Sequence, residues 1–123
     1  MASRGRGARA KGHNYERKIA NLLTEKTGVK FKRGMRQSRS GGAEDPDVHS
    51  EEEPQWFFEL KRHIKCNIKG AMRQAMEDIK ARSDNPTPII ITKDDYGPEL
   101  VTMHLEDWLP MWLAYREKED VSV

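Results

Sequence analysis

Asp47, Glu59 and Lys61 are the residues whose types and spacing could carry chemistry in this chain. Glu59 and Lys61 fall in Gln55–Arg62, a run rich in Trp56, Phe57, Phe58 and Leu60 that reads as a strand. Strand side chains alternate faces, so Phe57, Glu59 and Lys61 share one face and Trp56, Phe58 and Leu60 the other. A carboxylate and an ammonium in so apolar a strand cost desolvation unless they are paired or bind something. Asp47 stands twelve residues before Glu59, directly after Pro46, on the short segment Asp47–His49. A hairpin between that segment and the strand brings the two carboxylates together. Adjacent carboxylates repel each other and favour a hard cation such as Mg²⁺, which takes a few carboxylate oxygens together with water and phosphate oxygens. A cation held there activates water and neutralises charge on a phosphate. Lys61 beside it would orient the water or stabilise the transition state. The competing reading is a plain Glu59–Lys61 ion pair on an edge strand.

The elements that must position these residues are legible from periodicity. Tyr15, Ile19, Leu22 and Leu23 lie at i, i+4, i+7 and i+8, which predicts a helix from about His13 that ends at Gly28. From Val29 to about Arg36, Val29 and Phe31 alternate with Lys30, Lys32 and Arg33, as in an edge strand with a basic outer face. Ser40-Gly41-Gly42 breaks it. The stripe Met72, Ala75, Met76 and Ile79 predicts a helix over 70–82. Ile89–Thr92 is a continuous apolar run, expected in an interior strand buried on both faces. Leu100–His104 reads as a further strand. A final helix from about Glu106 to Lys118 carries Trp108, Leu109, Met111, Trp112 and Tyr115, with Pro110 in its first turn. This order predicts a single α/β domain over 13–123, a mixed sheet flanked by helices. Residues 1–12, rich in Gly, Ala and Arg, read as a flexible basic tail.

The net charge of +2 conceals an asymmetry. Residues 1–39 carry a balance of +10, residues 40–93 of −2 and residues 94–123 of −6. A basic first third is the footprint expected for a polyanion. Arg4, Arg6, Arg9 and Lys11 of the tail, the set Lys30, Lys32, Arg33, Arg36 and Arg39, and then Arg62, Lys65 and Lys69, would flank the acids and contact phosphates. Such contacts supply affinity without reading sequence. Cys66 is the only cysteine, so no internal disulfide and no cysteine zinc cluster can form. No apolar run approaches the roughly 20 residues of a membrane span, and no apolar stretch follows the basic N-terminus as in a signal peptide. A reducing cytoplasmic setting is expected.

Pro46-Asp47 followed by Glu59-Leu60-Lys61 resembles the signature of the PD-(D/E)XK nuclease superfamily. Over roughly residues 12–93 the chain is similar to archaeal and phage-type Holliday junction resolvases. Tyr15-Glu16-Arg17 corresponds to their first-helix Glu, and Arg39-Ser40-Gly41-Gly42 to their basic Ser-Gly segment. The resemblance implies a restriction-endonuclease-like fold and a Mg²⁺ site (Mn²⁺ able to substitute) on Asp47 and Glu59. It also implies a part for Glu16 at that site and a place for Ser40 near the substrate phosphate. Glu16 has a plainer reading, a first-turn acid favoured by the helix dipole. DNA, branched at a four-way junction, would be the substrate. Two paired cuts call for a symmetric homodimer, with the aromatic last helix as one candidate interface against ordinary core packing. No membrane and no organic cofactor is implied; a phage enzyme would work in the host cytoplasm. The acidic segment Ser50–Pro54 and the three large aromatics of the last helix depart from the resolvase pattern. The rivals are another nuclease of this fold, nicking or acting in replication and repair, and a DNA-binding module that has kept the fold without catalysis.

Overall fold

The computed structural model describes residues 2–34 and 45–121. Three helices, α1 (Ala2–Thr27), α2 (Ile68–Lys80) and α3 (Leu105–Val121), accompany five strands: β1 (Lys32–Arg33), β2 (Val48–His49), β3 (Trp56–His63), β4 (Thr87–Asp94) and β5 (Glu99–Thr102). The strands form one sheet in the order β1-β2-β3-β4-β5. β3 and β4 run parallel, joined through α2, and the other neighbours are antiparallel. This is the mixed α/β sheet expected of a restriction-endonuclease-like fold. No helix among the described residues is long and apolar enough to cross a membrane.

Alternation on the central strands divides the core in two. Phe58, Leu60, Ile89 and Ile91 pack with Tyr15 and Ile19 of α1 and with Val48. Phe57 and Ile90 point the other way and pack with Ala71, Ala75 and Ile79 of α2. The run Ile89–Ile91 therefore feeds both cores, as its lack of polar residues requires. Asn67 caps α2, its side chain accepting the Gly70 N–H.

Besides shifts of one or two residues in α2 and β5, three boundaries differ from the sequence reading. Residues 2–12, expected as a flexible tail, are helical and continue α1 toward the N-terminus. Apolar periodicity marks where a helix is buried, not where it starts, and the Ala, Arg and Lys of this stretch are good helix formers. Among the described residues β1 covers two residues, paired with Val48 and His49 of an equally short β2. α3 starts one residue early, so Pro110 sits in its second turn, where its ring removes a donor from the helix. Nor does α3 pack into the core: Trp108, Trp112 and Tyr115 are all exposed.

Candidate active site

The site is built on the β2–β3 hairpin. Val48 pairs with Phe58, and the Asp47 N–H donates to the Phe58 carbonyl at 2.9 Å. Side-chain Oδ2 of Asp47 accepts the Leu60 N–H at 2.8 Å. Asp47 is thus hydrogen-bonded on both sides of residue 59 and is buried. On its other flank, the Gly34 N–H donates to the Asp47 carbonyl at 2.9 Å. A Cβ at Gly34 would collide with the Pro46 carbonyl oxygen, so the close approach of these backbones requires glycine there.

Glu59 is buried on the α2 face of β3, in register with Ile90. Its carboxyl hydrogen-bonds that of Asp47 and is pushed up to about 8. Burial is the chief cause, the negative charge of Asp47 the next, and Lys61 opposes both. Lys61 lies two residues on, its Nζ 3.6 Å from Glu59 Oε2 and about a third exposed. The sequence-predicted triad is therefore assembled: two carboxyl groups in contact and an ammonium at their open side. Proximity that forces a proton onto one of two acids is the arrangement a divalent cation would relieve, so the donor set suits a hard metal.

Glu16 comes from a different element, α1. It lies on the inner face of α1, 1 % exposed, with the Arg33 Nε 3.3 Å from its Oε1. Among the described residues no three His, Cys, Asp or Glu side chains gather closely enough to hold a metal ion. Glu16 and Lys61 both line a cleft of ≈ 230 Å³ between α1 and the end of β3, lined also by Arg9, His13, Arg62 and His63. A polar belt holds the two walls. Lys11 Nζ lies 2.9 Å from Asp95 Oδ1, Arg62 pairs with the same carboxylate, and the Tyr15 hydroxyl donates to Glu99 at 2.7 Å. Burial and that bond to Glu99 push the Tyr15 phenol up.

Arg33 and Arg62, predicted to meet phosphates, thus engage carboxylates of the protein itself. Lys32 pairs with Glu51 at 3.3 Å on the surface, while Lys30, Lys65 and Lys69 are exposed. Arg36, Arg39 and Ser40 lie outside the described residues. Arg9 was expected only as part of a flexible phosphate-binding tail, and His13 and His63 were not singled out by sequence reasoning. Their signal was present in part: Arg9, His13 and Glu16 lie at i, i+4 and i+7, a polar stripe that becomes visible once the helix is extended through the basic segment.

A mixed sheet carrying two acids and a lysine at a hairpin is the architecture of PD-(D/E)XK nucleases, which as a class act with divalent metal ions. Residues 7–123 match the family described as "Phage putative PDDEXK endonuclease", and the chain belongs to that family. Its substrate class is accordingly DNA. The description names an endonuclease and not a junction. No curated protein and no solved structure matches the chain.

Proposed function

We propose that this protein is a Mg²⁺-dependent, structure-selective DNA endonuclease that resolves four-way junctions as a symmetric pair. The observation that carries the catalytic part is the contact between the Asp47 and Glu59 carboxyl groups with Lys61 Nζ 3.6 Å from the latter. Asp47 and Glu59 would hold the metal, with Mn²⁺ able to replace Mg²⁺. When bound, the ion would supply Lewis acidity for hydrolysis of a phosphodiester. Lys61 is the cation left to meet the scissile phosphate or the attacking water. Glu16 would assist from across the cleft, and Arg9, His13 and His63 would take the phosphates of the strand lying in it. Outside the cleft, exposed Lys30, Lys65 and Lys69 add sequence-independent affinity. Arg36, Arg39 and Ser40 would contribute likewise from the segment before Pro46. The junction preference rests only on the resemblance of Glu16, the Ser40-Gly41 segment, Asp47 and Glu59-Leu60-Lys61 to the pattern of Holliday junction resolvases.

Cleavage of a synthetic four-way junction, a plain duplex, a flap and a single strand, each with Mg²⁺, with Mn²⁺ and with EDTA, tests this reading. Paired symmetric nicks in the junction are expected, absent in EDTA and in Glu59→Ala. Equal cutting of the duplex would remove the junction assignment and leave a general nuclease. Binding without cutting in either metal would remove the enzyme.

A further inference from the structure

Among the described residues no element packs extensively along α3, and its large apolar side chains are exposed. At 3.6 residues per turn its apolar side chains, from Leu105 to Tyr115, cover an arc of roughly 200°. That is about twice the stripe a surface helix needs to rest on one core. The patch continues onto β5, the sheet edge, through exposed Leu100 and Val101. Trp108, Trp112 and Tyr115, at 43, 42 and 63 % exposure, offer roughly 350 Å² between them, and the aliphatic side chains at least as much again. The sum exceeds the apolar patch that a typical monomer leaves open, and the flank carrying Leu109 and Leu113 is the part of it that a second helix could cover.

The order of residues on one flank of α3 says what covers it. Glu106, Leu109, Leu113 and Arg116 lie on one helical face, spaced three, four and three apart. That pattern is self-complementary about a two-fold axis at the height of residue 111, midway between Leu109 and Leu113. Turned antiparallel, Leu109 meets Leu113 of the second copy and Glu106 meets Arg116. The Arg116 guanidinium already lies 5.2 Å from the Trp112 ring centroid, which keeps it at the edge of the apolar face. Trp108 and Trp112 stack with ring centroids 5.5 Å apart on the remaining part of the apolar arc.

We propose that α3 is the dimer interface: two copies of this chain pair antiparallel through α3, with Leu109 against Leu113 and Glu106 against Arg116. The inference rests on the reading above only for the use of a second copy, two cuts needing two active sites. Sedimentation equilibrium of the full chain without DNA or metal tests the interface independently of cleavage. A dimer is expected. Glu106→Arg and Arg116→Glu should each weaken it about tenfold, since every change acts twice across the axis. The double variant E106R/R116E should recover most of that loss, although the two positions are more than two turns apart within one helix. L109E/L113E should give a monomer that still folds, because neither residue supports the core. A monomeric wild type would overturn the proposal and assign the surface to a different protein or to DNA. A dimer unmoved by L109E/L113E, or weakened by both single swaps without recovery in the double, would overturn it as well. A variant that dimerises normally but no longer cuts would count against the catalytic reading and not against the interface.

Discussion

Asp47 Oδ2 accepts the backbone N–H of Leu60 at 2.8 Å, so the first carboxylate is tied to the strand that carries the second. The bond falls on the residue after Glu59, and the Asp47 N–H reaches the residue before it. Separation of the acids is thus set by two bonds of the hairpin and not by side-chain freedom. Pre-organisation of this kind is what a metal site needs, because two like charges would otherwise drift apart.

Removing either end of the triad should separate binding from cutting. Glu59→Ala and Lys61→Ala are each expected to lower the single-turnover rate on a junction by roughly a thousandfold or more. Affinity for the same DNA, measured in Ca²⁺ or EDTA, should change by less than about threefold for Glu59→Ala. Loss of affinity in parallel with loss of rate would show that Glu59 holds the fold and not the chemistry.

The shared proton makes stability depend on pH. Glu59 titrates near 8 in the folded chain and near 4.5 when unfolded. A raised acid binds its proton more tightly in the native state. Its stabilising effect is therefore complete below pH 4.5 and is lost as pH rises through about 8. Metal-free protein should lose stability across that window, with a slope of up to about 1.4 kcal/mol per pH unit from this group. Glu59→Gln should flatten the slope and be the more stable protein at pH 8. Mg²⁺ should raise the wild-type Tm at pH 8 and leave that of Glu59→Gln nearly unchanged. Urea midpoints at half-unit pH steps would reveal a missing slope.

Gly34→Ala should damage the site from outside it. The added methyl meets a backbone carbonyl, which cannot move aside as a side chain would. The strand must shift and stretch the Gly34–Asp47 bond, at a cost of about 1–3 kcal/mol. A drop in Tm with a larger drop in cleavage is expected; unchanged values for both would mean that the two backbones are looser than drawn.

Arg9→Ala and His63→Ala should act on DNA affinity. Each removes a cleft cation or donor outside the triad, Arg9 from α1 and His63 from the end of β3. Arg9→Ala should weaken binding of all sequences alike and reduce the slope of log K against log salt by about one. A salt titration with an unchanged slope would place the phosphates elsewhere.

Much of this was legible in the chain before its fold. Period-two alternation in Trp56–Lys61 separated the residues of the two cores and put Glu59 and Lys61 on one face, because a central strand has no other way to serve both helices. Asp47 was legible through Pro46 and the short link to β3. The cleft was not. Its far wall is the N-terminal part of α1, whose exposed outer residues carry no apolar stripe, and amphipathic pattern is silent about a helix that projects beyond its core. The pairing of Arg33 with Glu16 was equally hidden. Charge runs record what a segment carries, and only tertiary placement decides which cations a buried carboxylate takes from it.

Because α1 is one uninterrupted helix, Arg9, His13 and Glu16 are locked in angular phase as well as in distance. A single residue inserted or deleted between Gly12 and Glu16 would turn everything N-terminal to it by about 100°. Arg9 would swing out of the cleft, with no residue of the triad altered. Along this stretch a change of side chain is a local event, whereas a change of length is a rotation of the whole arm.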